Sequence, residues 1–468
     1  MIHYRLLRLA TTSGVIGALT ACGGAAGTIS APASARLGAT STPIQHVVVM
    51  VQENRTFNNL FATFPGVTGT TIGIEKVGQG KKVHDKSIAL TEVNLEDHQN
   101  LNHLYDSYKT AYDHGKMDAF NRIVFSVNGN PENAKPYQYV NPAQIGPYWE
   151  MASTYGIANA MFQTQGSGSF TAHQDLIRGG TELTPTESLV DDPSSNKVWG
   201  CDSPYGTKTN LITTKLKYKH YDGPMPCTPE FPAAGANYTT LQTTLDAASI
   251  SWKYYVPRLV SYQSGALWNA FDVIAAVRYG PEWKADVSMP DTNIFKDIDN
   301  NALPAMSWVI PDGNNSDHPD YAKDTGPSWV ASVVNAIGKS PYWDSTAIIV
   351  VWDDWGGFYD PVAPPKLDTQ GGPGFRVPMI VISPYTAFNA TGASPYISQT
   401  VYGFGSIIKY VEETFNLPSL GTTDATSNSM DDMFNYNQSP RSFSTISAKY
   451  SRAYFLHQKP SGLPVDTE

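Results

Sequence analysis

Residues 347–360 read AIIVVWDDWGGFYD, and this stretch decides the fold. Its first six residues are apolar and mostly β-branched and stop abruptly at charge, the pattern of a strand buried on both faces. Such a strand belongs in a largely parallel sheet covered by helices. Residues 44–51 (IQHVVVMV) and 377–382 (VPMIVI) share the pattern. Helix-like segments lie between them. SWVASVVNAI at 328–337 has apolar residues at helical spacing and Gly338 as a stop. GFGSIIKYVEETFNL at 403–417 is amphipathic and is ended by Pro418. Strands alternating with helices predict an α/β layered fold with a mostly parallel central sheet. With no repeat, heptad or later linker to divide the chain, one large domain is expected over 44–455. A loop-rich insertion is expected around 180–240 and a C-terminal tail over 456–468.

Composition narrows the function classes. Of 468 residues, 32 are basic and 42 acidic, giving a net charge of -10, which argues against a non-specific nucleic-acid binder. Hydrophobic residues make up 41%, too many for a disordered chain. A chain of this length can bury a large core without covalent staples, so its three cysteines need another explanation.

The first segment supplies one. MIHYRLLRLATTSGVIGALTAC has a basic start at Arg5 and Arg8, then an apolar stretch of about Leu9 to Leu19, and reads as a bacterial export signal. Its Leu-Thr-Ala-Cys ending resembles a lipobox, which implies cleavage before Cys22, acylation of its sulfur and anchoring to a membrane. An ordinary signal peptide cut after Ala31-Pro32-Ala33 is the alternative. Residues 1–22 are thus expected to be a lipoprotein signal segment, and 23–43, rich in Gly, Ala, Ser and Thr, a flexible tether. Cys201 and Cys227 then remain, 26 residues apart in turn-rich surroundings, and in an exported protein they are expected to pair as a disulfide.

Chemistry is expected at two strand ends. IQHVVVMVQENRTF delivers Glu53 and Asn54, and AIIVVWDDWGGFYD delivers Asp353 and Asp354. Ligands of open α/β sheets bind beyond the carboxyl ends of the strands. Three carboxylates and an amide gathered there would suit a divalent cation, without which the carboxylates would repel one another. Each pair taken alone could instead cap a following helix. The nucleophile candidate is Ser169, at the end of the glycine turn in MFQTQGSGSFTAHQDLIRGG and ahead of a helix predicted over 170–178. A hydroxyl at a helix N-terminus sits where negative charge is favoured, although an N-cap serine would look the same. His98 and His103 in LEDHQNLNHLYDSYK, and His318 in IPDGNNSDHPDY, lie in polar loops suited to holding a phosphoryl oxygen or protonating a leaving group. No G-x-S-x-G elbow, Walker A or G-x-G-x-x-G fingerprint occurs.

The blocks IQHVVVMVQENRTFNNLFATFPG, GKMDAF, LPAMSWVIPDGNNSDHP, SPYWDSTAIIVVWDDWGGFYDPV and GFRVPMIVISPY, in that order, resemble the bacterial phosphoesterase superfamily of acid phosphatases and phospholipases C. The resemblance spans nearly all of 44–445. It implies an alkaline-phosphatase-like α/β fold and a metal-assisted Ser or Thr nucleophile. Carried over by motif, it implies that Glu53, Asn54, Asp353 and Asp354 bind the metal, that Ser169 attacks, and that His318 holds phosphate. His103 fits the family histidine ahead of GKMD better than His98 by spacing. The run SFTAHQ is similar to the acid-phosphatase branch. Two departures stand out: Asp360-Pro361 where the family often has Asp-His, and WKYY at 252–255 where acid phosphatases place a histidine.

The expected function is therefore a phosphoric ester hydrolase with a divalent metal ion of unspecified identity, foremost a phosphomonoesterase of acid phosphatase type working through a phosphoserine. Phospholipase C cleavage of phospholipid diesters is the alternative, and a non-catalytic surface-binding lipoprotein is the alternative of another class.

Overall fold

A computed structural model describes residues 42–97, 100–126, 128–195, 198–227, 238–258 and 267–465. The three apolar runs form the middle of an eight-stranded sheet. In chain order its strands are β1 (His46–Gln52), β2 (Gly156–Ala158), β3 (Trp252–Tyr255), β4 (Val287–Ser288), β5 (Met306–Val309), β6 (Thr346–Trp352), β7 (Met379–Ile382) and β8 (Tyr396–Ser398). The spatial order is β4-β3-β5-β1-β6-β7-β2-β8. β1 lies between β5 and β6, parallel to both, and every residue of β6 is buried. Central strands of this kind need apolar side chains on both faces, which is why neither run alternates with polar residues. The fold is mixed α/β, as expected.

β7 is a correction. It is antiparallel to both β6 and β2, not part of the parallel set. A parallel neighbour needs a crossover, usually a helix, to carry the chain back to the starting edge. Residues 353–378 contain no helix, so the chain re-enters from the end at which it left.

The sheet is flanked by helices, among them α1 (Phe57–Phe61), α2 (Ser169–Arg178), α3 (Gly326–Gly338) and α4 (Phe404–Phe415). α2 is tied to the sheet where Trp308 Nε1 of β5 donates to the Leu176 carbonyl at 3.1 Å. It ends where Gly179 takes a left-handed φ of 85°, a conformation without cost for glycine.

The described part of 180–240 is rich in loops, as expected, and also holds strands. It carries a four-stranded antiparallel sheet of Glu182–Thr184, Glu187–Val190, Asn210–Thr213 and Tyr218–Lys219. Strands of two to four residues are too short to show alternation in sequence. Cys201 and Cys227 are joined, with S–S 1.98 Å. In the stretch 456–468, Gln458 bonds to Asn315 and Ser461 to Asp312. The signal, tether and Cys22 expectations fall at 1–41 or its edge, outside the described residues, and so does His98. Among the described residues no helix is long and apolar enough to cross a membrane.

Candidate active site

The register of the sheet brings the two acidic strand ends together. Gln52 pairs with Trp352 across β1 and β6, so Glu53 and Asp353 leave adjacent strands at the same level. Two hydrogen bonds lock the exit: Asp353 N donates to the Gln52 carbonyl at 2.9 Å, and Asn54 N donates to Asp353 Oδ1 at 2.9 Å. Asn54 sits at φ 58°, a left-handed conformation that asparagine tolerates better than most residues. Gly356, at φ 56°, faces the Asn54 carbonyl so closely that a Cβ would stand 2.0 Å from it. Gly356 is therefore required by close backbone approach.

Ser169 is the first residue of α2, and its hydroxyl points at these strand ends. Ser169 Oγ donates to Asp354 Oδ2 at 2.8 Å and lies 3.4 Å from Asn54 Oδ1. The Asn54 amide is oriented by His103. His103 Nδ1 lies 2.7 Å from the Leu101 carbonyl, which can only accept, so the proton belongs on Nδ1. His103 Nε2 then accepts from Asn54 Nδ2 at 3.0 Å and stands 3.6 Å from Asp354 Oδ2.

Beside this group lies a second one. His173 Nε2 is 3.1 Å from Glu53 Oε1 and 3.7 Å from Asp353 Oδ2, and all three side chains are buried. One ligand atom from each of Glu53, His173 and Asp353 lies within 4.8 Å of the others, so the trio could hold a metal ion. Asp353 Oδ2 is buried without a hydrogen bond among the described residues, as an oxygen kept for a cation would be. Burial first, then the neighbouring Asp354 carboxylate, pushes Asp353 up to about 6, while His173 opposes the shift. A mixed carboxylate and imidazole set fits a divalent transition metal better than the all-oxygen set expected from sequence.

The four expected metal residues thus divide. Glu53 and Asp353 join the cluster, whereas Asn54 and Asp354 hold the Ser169 hydroxyl. His173 was missed, although it stood inside SFTAHQ. Its signal was helical spacing, since it follows Ser169 by four residues and faces the same way.

His318 is buried against aromatic rings. It stacks 4.5 Å from Tyr321 and 5.9 Å from Trp268, and Trp268 also stacks 6.4 Å from His173. Its loop is fastened to the residues after β1: Glu53 N donates to the Ser316 carbonyl at 2.7 Å and Arg55 Nε to the Asp317 carbonyl at 2.9 Å. Tyr148 Oη and Trp352 Nε1 both donate to Asp317 Oδ2, at 2.8 and 3.2 Å. Asp360, where a histidine neighbour was expected but proline follows, serves the fold through a buried two-point ion pair with Arg376. At the other departure, Tyr254 Oη of WKYY donates to the Trp268 backbone carbonyl at 3.0 Å.

Residues 44–418 match the model of the Phosphoesterase family. The chain belongs to this family. Among curated relatives, it is 24% identical to "Non-hemolytic phospholipase C" of Pseudomonas aeruginosa, over 80% of this chain and 54% of that protein. It is 25% identical to "Phospholipase C B" of Mycobacterium tuberculosis, over 85% of this chain and 79% of that protein. It is 28% identical to "Non-specific phospholipase C6" of Arabidopsis thaliana, over 32% and 34%. The chain spans little more than half the length of the Pseudomonas relative. A solved alkaline phosphatase superfamily protein from Vibrio parahaemolyticus is 12% identical, covering 62% of this chain and 67% of that one, with a TM-score of 0.32. That likeness is slight, and the α/β assignment rests on the sheet order itself.

Proposed function

We propose that this phosphoesterase cleaves phosphodiesters of phospholipid type, with Ser169 as the nucleophile. The observation that carries the reading is the Ser169 hydroxyl at the start of a buried helix, 2.8 Å from Asp354 and beside the Glu53–His173–Asp353 trio. Phospholipases C among the curated relatives favour a diester substrate over the monoester expected from sequence.

In this reading Asp354 takes the serine proton as Oγ attacks phosphorus. The bond to the leaving oxygen breaks, and a water molecule supplies the proton that oxygen needs. The phosphoryl group then sits on Ser169; water attacks phosphorus and gives its proton to solvent, the phosphorus–serine bond breaks, and Asp354 returns its proton to Oγ. Asn54, held by His103, keeps Oγ in line. His318 holds a phosphoryl oxygen. A cation held by Glu53, His173 and Asp353 would supply charge that stabilises the alkoxide and the phosphoryl oxygens.

One observation keeps a second reading: the sequence around Ser169 is similar to the acid-phosphatase branch, whose substrates are monoesters. The purified chain should therefore be assayed on an aryl phosphomonoester and on a phosphocholine diester, with and without chelator. Faster cleavage of the diester, lost on chelation, supports the proposal. Monoester preference would install acid phosphatase, and chelator-resistant turnover would contradict the metal. Export, with lipid attached at Cys22, completes the proposal. A disulfide between Cys201 and Cys227 supports export, because such bonds persist in oxidising compartments.

A further inference from the structure

Between α1 and the His103 loop the chain forms a two-stranded hairpin, Ile72–Val77 against His84–Ala89. Its root is fixed at the carboxyl edge of the central sheet. Thr70 N donates to Asn58 Oδ1 at 2.8 Å and Asn58 Nδ2 to the Thr70 carbonyl at 3.1 Å, which joins the hairpin to α1 just after Asn54. A Cβ on Gly73 would stand 2.8 Å from Tyr137 and 3.2 Å from Tyr359, so the ribbon lies close against the loop that follows Asp353 and Asp354. Asn121 grips it further along, accepting from Lys76 N at 3.1 Å and donating to the Lys76 carbonyl at 2.8 Å.

Beyond that grip the ribbon reaches into solvent. Every residue from Gly78 to Ser87 is exposed, and Val83 shows 42% of its surface. Val77 and His84 are the last pair, and the tip between them reads GQGKKV. A strand of 6 residues at about 3.3 Å each puts this tip roughly 20 Å from the root.

The tip is cationic on an acidic molecule. The hairpin's own carboxylates are engaged: Glu75 lies 3.4 Å from Lys86, and Asp85 lies 3.6 Å from Lys76. Lys76 also meets Asp113 and Asp118, both at 2.9 Å, and Lys116 meets Asp113 at 3.3 Å. Lys81 and Lys82 have no acidic partner among the described residues. Nor has Arg122, whose Nη2 donates to the Gly78 carbonyl at 2.7 Å. These six cations meet four carboxylates, on a chain whose net charge is -10.

A narrow ribbon end offers little area to fit the contours of a protein partner. What it can recognise is charge spread over a plane, with an apolar layer beneath it for Val83. An anionic lipid surface has both. It attracts each nearby Lys or Arg by roughly fivefold in affinity, and it takes up apolar side chains at the boundary of headgroups and acyl chains.

We propose that Lys81, Lys82 and Val83, with Arg122 beside them, dock the protein onto anionic phospholipid surfaces and hold the carboxyl edge of its sheet close to the lipid. This rests on the reading of the chain as a phospholipid-cleaving enzyme, and adds to it a docking surface separate from the site around Ser169.

The full chain carrying Cys22→Ser, which removes the expected lipid site, should sediment with vesicles of phosphatidylcholine and phosphatidylglycerol and far less with phosphatidylcholine alone. Lys81→Glu with Lys82→Glu should weaken that binding at least about tenfold. Lys81→Arg with Lys82→Arg should keep it, and added salt should release the parent chain. Val83→Ser should weaken binding about threefold. The glutamate pair should slow phosphatidylcholine hydrolysis in the mixed vesicles in step with binding. Its kcat/KM for soluble methyl nitrophenyl phosphate should stay unchanged, because the exposed tip lies outside the site around Ser169. Absent binding, binding that ignores phosphatidylglycerol, or binding that survives the glutamate pair overturns the proposal. Equally tight binding of soluble heparin also overturns it, since the tip would then hold polyanions in general. Vesicle binding that follows charge without cleavage of any phospholipid upholds the docking surface and brings down the phospholipid reading. Cleavage with charge-blind binding does the reverse.

Discussion

Ser169 is placed by contacts from three separate segments: Asp354 and Asn54 hold its hydroxyl, and Asp192 holds the amide that follows it. Ser169→Ala should lower turnover of either ester class about a thousandfold or more while leaving the melting temperature close to that of the wild type. Loss of both together would mean that the hydroxyl serves folding instead. Glu53 and His173 make a different prediction. If they hold the cation, a chelator should lower the melting temperature of the wild type, since a ligand bound only to the folded state stabilises it. In His173→Gln that chelator-induced shift should shrink, and metal content by mass spectrometry should fall in step. The carboxylates of this site were legible because each follows an apolar strand at once. His173 was not, because a histidine inside a helical run looks like any packed side chain until the helix is known to begin at Ser169.

At the scale of elements, Asp360 and Arg376 form a buried pair within the segment between β6 and β7 and tie that segment to α1, where Phe57 N donates to the Arg376 carbonyl. Arg376 Nε meets Asp360 Oδ1 at 2.9 Å, its guanidinium lies over the Phe57 ring, and Asp360 Oδ2 also accepts the Asn58 amide of α1. Arg376→Met leaves that carboxylate buried and unpaired, and should cost about 3–5 kcal/mol in chemical denaturation. A loss under about 1 kcal/mol would show that the pair adds little. The central strands could be read from sequence, since burial on both faces leaves continuous apolar runs. The antiparallel return of β7 could not, because direction depends on what the intervening loop does rather than on the strand's own residues. The inserted sheet was hidden for a third reason: its strands are too short to show a period, so only the turn-rich composition of 180–240 came through.

For the whole molecule, buried carboxylates set how stability follows pH. Asp291 is fully buried, and burial, with Asp312 nearby, pushes it up to about 7. The folded protein keeps its proton until that pH, whereas the unfolded chain releases it near 4. The folded state binds more protons in this window, so Asp291 makes stability fall as pH rises from about 4 to about 7. Asp291→Asn should flatten that part of the profile, read as the urea midpoint at several pH values. An unchanged slope would show that Asp291 ionises normally. We propose that the two strand ends place Ser169 for attack on phosphorus. The most direct test is acid quenching during turnover of a phosphodiester, followed by mass spectrometry of the peptide that contains Ser169. A phosphoryl adduct on Ser169 that is absent from Ser169→Ala is expected; steady turnover with Ser169 unmodified and an adduct on another residue would overturn the proposal.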